Sequence, residues 1–350
     1  MLELKRFPET TLAASQDYNT DFSGRVFDTL VLRLDGTVTG GIATITDGAF
    51  RALGTPELNQ AEEPLIRMRG EDWRHLAALT SGGYGPHSAA VGGAITAFSR
   101  IKLSRLVPNM RINATETKVF LRGTSGANND VVTGNPTYTS TLRPSVETTD
   151  ASLSRSWARP RITQSTIDVS TISDNIQHVI RFENPTLVAG IMLRVFQSST
   201  TDRVDGLVRA VKLDVTKIGS GPRELVSWTR WGTLRHMTTS RAGWHLDDHN
   251  TSVGVAFVPT VDRRNQRWGG ALLMAAGESI TITLDTSATA EADITAVPAG
   301  SSDRVYVTIV AAIPVDPAGS GDGPSVVGAR RVAAAPVGRT RSRTRTRRLR

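Results

Sequence analysis

Apolar and polar residues alternate with a period of two over much of the chain. Thr29–Asp35 puts Leu30, Leu32 and Leu34 on one face, and Lys118–Arg122 alternates in the same way. Ser279–Asp285 sets Ile280, Ile282 and Leu284 against threonines, and Val305, Val307, Ile309, Ala311 and Ile313 form another row. A period of two is the side-chain repeat of a strand. Between these runs lie turn-forming clusters such as Asp35-Gly36, Gly40-Gly41, Asp47-Gly48, Gly219–Pro222 and Ala299–Asp303. One helix is predicted, over Glu71–Leu79, with acids in its first turn and Gly82-Gly83 just past its end. Short strands with little helix predict an all-β chain built as sandwiches or barrels.

The pattern repeats. Val31–Leu34, Asp47–Leu53, Glu63–Ile66 and Arg74–Leu76 recur in the same order as Met192–Val195, Asp205–Val211, Glu224–Ser227 and Arg235–Met237. The offsets are 161, 158, 161 and 161 residues. Ala97-Phe98 returns as Ala256-Phe257, and Val119–Leu121 as Ile280–Ile282. One near-constant offset over so many units predicts a tandem duplication of one β-domain. The expected organisation is a polar N-terminal arm over residues 1–20, a first domain over 21–150 and a connector over 151–179. A second domain over 180–314 is followed by a flexible Pro/Gly/Ala-rich linker and tail over 315–350.

Charge is concentrated at one end. The chain carries 41 Lys+Arg against 33 Asp+Glu. Nine of the bases are Arg330, Arg331, Arg339, Arg341, Arg343, Arg345, Arg347, Arg348 and Arg350, in a stretch with no acid. The rest of the chain is nearly neutral. Such a block predicts a solvated tail that grips an anionic partner, either nucleic acid or a lipid surface. There is no cysteine, hence no disulfide and no thiolate chemistry, which fits folding in a reducing cytosol. The start, MLELKRFPETTL, holds no apolar stretch like that of a secretory signal.

Candidate chemistry is sparse. His245 and His249 in Trp244–His249 would share a face only on a helix, and Gly243 and Asn250 argue for a loop, so no metal site is expected. His75 and His236 each follow an arginine at matching positions, which points to a buried structural ring in both halves. The adjacent acids Glu62-Glu63, Glu71-Asp72 and Asp247-Asp248 sit where loops or helix starts are expected. Neither a nucleophile elbow nor a phosphate-binding loop occurs, so neither an enzyme nor a cofactor is expected. Arg263, Arg264, Arg267 and Trp268, with Trp228 and Trp231, are candidate interface anchors, because Trp and Arg dominate such contacts.

Two similar all-β halves without catalytic motifs resemble the double jelly-roll major capsid proteins of tailless icosahedral bacteriophages with an internal membrane, the adenovirus-hexon-like lineage. The resemblance rests on the repeated units above and on Ala276–Leu284, which looks like a penultimate strand of such a domain. It covers roughly residues 20–314. It implies two tandem jelly rolls with flexible terminal arms, homotrimeric capsomers of pseudo-hexagonal outline and an icosahedral shell. It also implies contacts with other virion proteins, a virion location after synthesis in the host cytoplasm, and terminal arms facing the particle interior. The basic tail would then meet packaged nucleic acid or the inner membrane. A minor virion or spike protein, or a β-sandwich nucleic-acid-binding protein that does not assemble, fits the same residues.

Overall fold

The computed structural model describes residues 3–81, 85–148, 157–170, 173–197, 202–242, 253–260, 265–287 and 303–315. The first half opens with β1 (Glu3–Arg6) and β2 (Thr10–Ala13), then β3 (Asp17–Asp21), the long β4 (Val26–Thr39) and a short α1 (Gly48–Arg51). It continues through β5 (Glu57–Gln60), β6 (Glu63–Arg67), α2 (Gly70–Ser81), β7 (His87–Ala89) and β8 (Ala94–Lys102). It closes with β9 (Ile112–Asn113), β10 (Val119–Thr124), α3 (Asn128–Val131) and β11 (Thr137–Thr148). The second half runs β12 (Trp157–Asp168), β13 (Ile176–Arg181), β14 (Thr186–Gln197), β15 (Asp202–Arg203), β16 (Ala210–Thr216) and β17 (Pro222–Arg230). After these come α4 (Trp231–Ala242), β18 (Val255–Pro259), β19 (Leu272–Met274), β20 (Ser279–Asp285) and β21 (Arg304–Val315).

Each half is a jelly roll. In the first, one sheet orders β1 (with β2), β11, β4 and β8, and the facing strands are β3, β10, β5 and β6. In the second, β12, β21, β14 and β18 face β13, β20, β16 and β17. Counted along each half, main strands one, eight, three and six oppose two, seven, four and five, the double Greek key of a jelly roll. The halves are then stitched edge to edge. β6 lies parallel to β12, with Ile66 opposite Ile162 and Arg67 opposite Thr163.

The sequence repeat falls on equivalent elements: Val31–Leu34 in β4 and Met192–Val195 in β14, Arg74 in α2 and Arg235 in α4, Val119–Leu121 in β10 and Ile280–Ile282 in β20. The alternating leucines point inward as predicted, with Leu30, Leu32 and Leu34 all buried. The predicted helix is α2, one residue longer at its start and two at its end.

The expected arm over 1–20 is instead strand. β1 and β2 close the edge beside β11, and β3 pairs with β10. Its polar composition hides a strict alternation, because Tyr18, Thr20 and Phe22 are buried and their neighbours are not. The expected connector over 151–179 likewise contains β12 and most of β13, the opening strands of the second jelly roll. Its polar residues mislead because β12 lies between the two halves and finds partners on both sides. The linker and tail over 316–350 lie outside the described residues.

Gly36 in β4 packs so closely on β11 that an added Cβ would sit 2.2 Å from the Thr139 carbonyl oxygen. Gly36→Ala is expected to lower stability by about 1–3 kcal/mol. Urea denaturation should show a lower midpoint at unchanged slope.

Candidate assembly surfaces

Charge gathers where the two jelly rolls meet. α2 begins with Glu71 and Asp72 and lies against the outer face of the second half. Nearly all its residues are buried, because it packs between two sandwiches rather than on one. From β14, Arg194 reaches across and grips Asp72 with both arms of its guanidinium, Nε to Oδ1 at 2.8 Å and Nη2 to Oδ2 at 3.0 Å. Gln164 of β12 donates to the same carboxylate at 2.6 Å. Arg194 also stacks 4.2 Å from the ring of Tyr306, whose hydroxyl accepts from Arg69 at 3.1 Å. Glu71 is held by Arg51 at 3.2 Å and Arg69 at 3.4 Å, with Arg194 at 3.8 Å.

A second knot lies beside it. Asp47, before α1, pairs with Arg74 of α2 and with Arg203 of the second half, Nε to Oδ2 at 2.7 Å. His75 Nε2 lies 3.6 Å from the same carboxylate. Burial alone would raise the pKa of Asp47, but Arg203 and Arg74 hold it well below its usual value. Burial would likewise raise Glu71, and Arg194, Arg69 and Arg51 overcome it, bringing the group to about 2. His75 goes down to about 4, first through burial and then through Arg203 and Arg74, although Asp47 pulls the other way. At neutral pH the junction therefore holds charged acids, charged arginines and a neutral imidazole.

The Asp–Arg pair was written twice in the sequence. Asp205 pairs with Arg235 just as Asp47 pairs with Arg74, and also accepts from Trp231 Nε1 and the Gly254 amide, each at 2.8 Å. The expectation of two buried histidines holds for only one. His75 is buried, whereas His236 is exposed, since among the described side chains of α4 the buried ones are Trp231, Leu234 and Thr238, on another face of the helix.

The predicted interface anchors separate. Trp228, on the edge strand β17, is exposed. Trp231 is buried with its indole bonded to Asp205, and Trp268 packs in the first core, so neither is open to a neighbour. Arg263 and Arg264 lie outside the described residues, as does the side chain of Arg267. So do His245, His249, Asp247-Asp248 and all nine tail arginines: Arg330, Arg331, Arg339, Arg341, Arg343, Arg345, Arg347, Arg348 and Arg350. Among the described residues no group of three His, Asp or Glu could hold a metal ion.

Glu71-Asp72, read as a solvated helix start, is instead the buried centre of the junction. Sequence reasoning also missed Arg194 and Arg203. The available signal was an arginine inside the apolar run Met192–Val195, yet the matching Arg33 stays exposed, so the local pattern is the same for both outcomes.

No protein-family profile matches the chain, and no curated protein matches it in sequence. Solved structures do match its fold. A chain from the structure of Sulfolobus Turreted Icosahedral Virus is 13% identical with a TM-score of 0.63, over 89% of this chain and 90% of that one. A chain of the PBCV-1 virus capsid is 12% identical with a TM-score of 0.57, over 88% and 92%. The major capsid protein P2 from bacteriophage PM2 is 9% identical with a TM-score of 0.52, over 91% and 100%. The chain has the double jelly-roll fold of these capsid proteins.

Breaking the junction on one side strands buried charge. Arg194→Ala is expected to cost about 3–5 kcal/mol, measured by thermal or chemical denaturation. Acid should act in two stages. The unfolded chain protonates His75 near its ordinary 6.5 while the folded chain resists to about 4, so stability falls by about 3 kcal/mol over that window as pH drops. Glu71 then loses its contribution between its ordinary 4.5 and about 2. A melting curve at each pH should show both limbs, and His75→Gln should flatten the first.

Proposed function

We propose that the chain is a major capsid protein that self-assembles as trimeric, pseudo-hexagonal capsomers into an icosahedral shell. The observation that carries this is coverage. The double jelly roll is matched along about nine-tenths of the chain and nearly the whole of three viral capsid chains. The sequence agrees with this in having no nucleophile motif, no cysteine and no clear ligand set, so its work on this reading is assembly rather than reaction. Its place is the virion, after synthesis in the host cytoplasm, with other virion proteins as neighbours.

On the same reading Arg339–Arg350 faces the particle interior and binds packaged nucleic acid or the anionic inner membrane. Arginine alternates with Ser and Thr, and Leu349 is the one large apolar residue, so insertion into lipid is disfavoured and attraction to charge is what remains. Such a segment contacts phosphates without placing side chains on base edges, so it is blind to sequence.

Negative-stain imaging and mass measurement of the purified protein test assembly. Trimers or shells are the expected result, and a strict monomer at high concentration and physiological salt would refute it. For the tail, the log–log salt slope of duplex binding should be roughly −6 if all seven terminal arginines meet phosphates. Deleting residues 330–350 should abolish that binding and leave the folded body unchanged. Parallel titrations on DNA, RNA and anionic liposomes identify the partner.

A further inference from the structure

The two halves share a scaffold, but one cluster of side chains belongs to the first half alone. Leu58 of β5, Ile66 of β6 and Leu121 of β10 turn into the first core, so their neighbours Glu57, Arg67 and Arg122 face away from it. Strand register sets Glu57 between the two arginines, opposite Arg67 on one side and Arg122 on the other. Its carboxylate lies 2.7 Å from Arg67 Nε and 3.8 Å from Arg122 Nε. The repeat shows that the fold does not require this trio. At the offset of 161 residues Arg67 corresponds to Trp228 and Arg122 to Thr283, and the pairing of Thr283 with Lys212 makes Lys212 the counterpart of Glu57. The second jelly roll forms without any of the three.

The trio lines a cleft of about 790 Å³, within the size range of ligand sites. Arg51 and Arg69 line it too, and Glu71 matches them at 3.2 and 3.4 Å. The outer pair is less balanced. One carboxylate serves Arg67 and Arg122, which are 61% and 55% exposed and have no other partner among the described residues. Each fork therefore has its terminal nitrogens to offer, in the geometry that takes a carboxylate, sulfate or phosphate. The rest of the lining is polar rather than basic, with Asp17, Asn19, Thr55, Thr124 and Asp130. That mixture selects among anions. A polyanion such as nucleic acid would be repelled by Asp17, Glu57 and Asp130, whereas a sugar with one acidic group brings hydroxyl donors to them.

We propose that this cleft binds an acidic sugar unit, its carboxylate, sulfate or phosphate held by Arg67 and Arg122 and its hydroxyls by Asp17, Asn19 and Thr124. Its place in the molecule gives it a task. β12 starts at Trp157, opposite Val315, and runs parallel to β6 towards Arg67. The sequence continues into the arginine tail from one end of the molecule, and the cleft lies towards the other. With the tail inward, as on the self-assembly reading, the cleft faces outward and its sugar is one displayed on a host surface. Only this placement rests on that reading, and the binding chemistry stands apart from it. Many copies on one shell turn a weak single contact into firm attachment.

Calorimetric titration of the full chain tests the site. The probes are digalacturonate, galactose 6-sulfate, galactose 6-phosphate and uncharged galactobiose, with acetate, sulfate and phosphate as sugarless anions. One or more of the acidic sugars should bind about tenfold or more tightly than galactobiose and than its sugarless anion, and the tightest names the acid group. Arg67→Ala and Arg122→Ala should each weaken that binding by about tenfold or more, the loss of a charge-assisted contact. Both should keep the melting temperature, since exposed ion pairs contribute little to stability. Arg223→Ala, at an exposed arginine outside the cleft, should bind as the parent does, which separates the cleft from general attraction to a basic chain. Acidic sugars that bind no better than galactobiose or than the bare anions, or equal binding by the parent and both cleft variants, would overturn the proposal even if shells form. A chain that binds the sugar and stays monomeric would keep the site and end its outward placement.

Discussion

Three carboxylates and four guanidiniums share the buried space between the two jelly rolls: Asp47, Glu71 and Asp72 with Arg51, Arg74, Arg194 and Arg203. None can be withdrawn alone, because an uncompensated charge there costs more than most whole contacts contribute. That condition fixes how the halves sit. Arg194 and Arg203 come from the second half and their carboxylates from the first. The pairing of β6 with β12 supplies the backbone share of the junction, and the ion pairs supply its register.

The duplication explains the geometry and also its asymmetry. Two copies of one domain in series contain one internal contact and leave its mirror unmade at the two ends. The residues record which is which. α2 is buried almost all round, whereas Gly232, Thr233, His236 and Met237 of α4 are exposed. β21 is apolar on both sides, since Val305, Val307 and Ile309 face one core while Val310 and Ala312 pack towards the other half. Its counterpart β11 is apolar on one side and carries Arg143, Ser145 and Glu147 on the other.

The Asp–Arg pair inside each half tells a related story. Asp47 with Arg74 and Asp205 with Arg235 tie the loop after the third main strand to the helix after the fifth. This holds each jelly roll's loops against its own helix. Only the first pair is drawn into the junction by a further arginine, Arg203. One inherited device thus has a local role in one half and a bridging role in the other.

Period-two alternation in strands such as Thr29–Asp35 and Ser279–Asp285, and the constant offset between repeated units, determined an all-β chain of two like sandwiches. Both signals are local or self-referential, so a single chain carries them in full. The first strands of each half were lost to a polar reading, because their inward positions are partly polar, as Thr20 is in β3, and because β12 finds partners in both halves. The junction was beyond the sequence for a stronger reason. Arg33 and Arg194 occupy the same position in near-identical runs, and so do His75 and His236, yet one of each pair is buried and the other is not. What differs is the body packed on top. Burial of that kind is decided by contacts between residues more than a hundred positions apart, and only the tertiary structure brings those together.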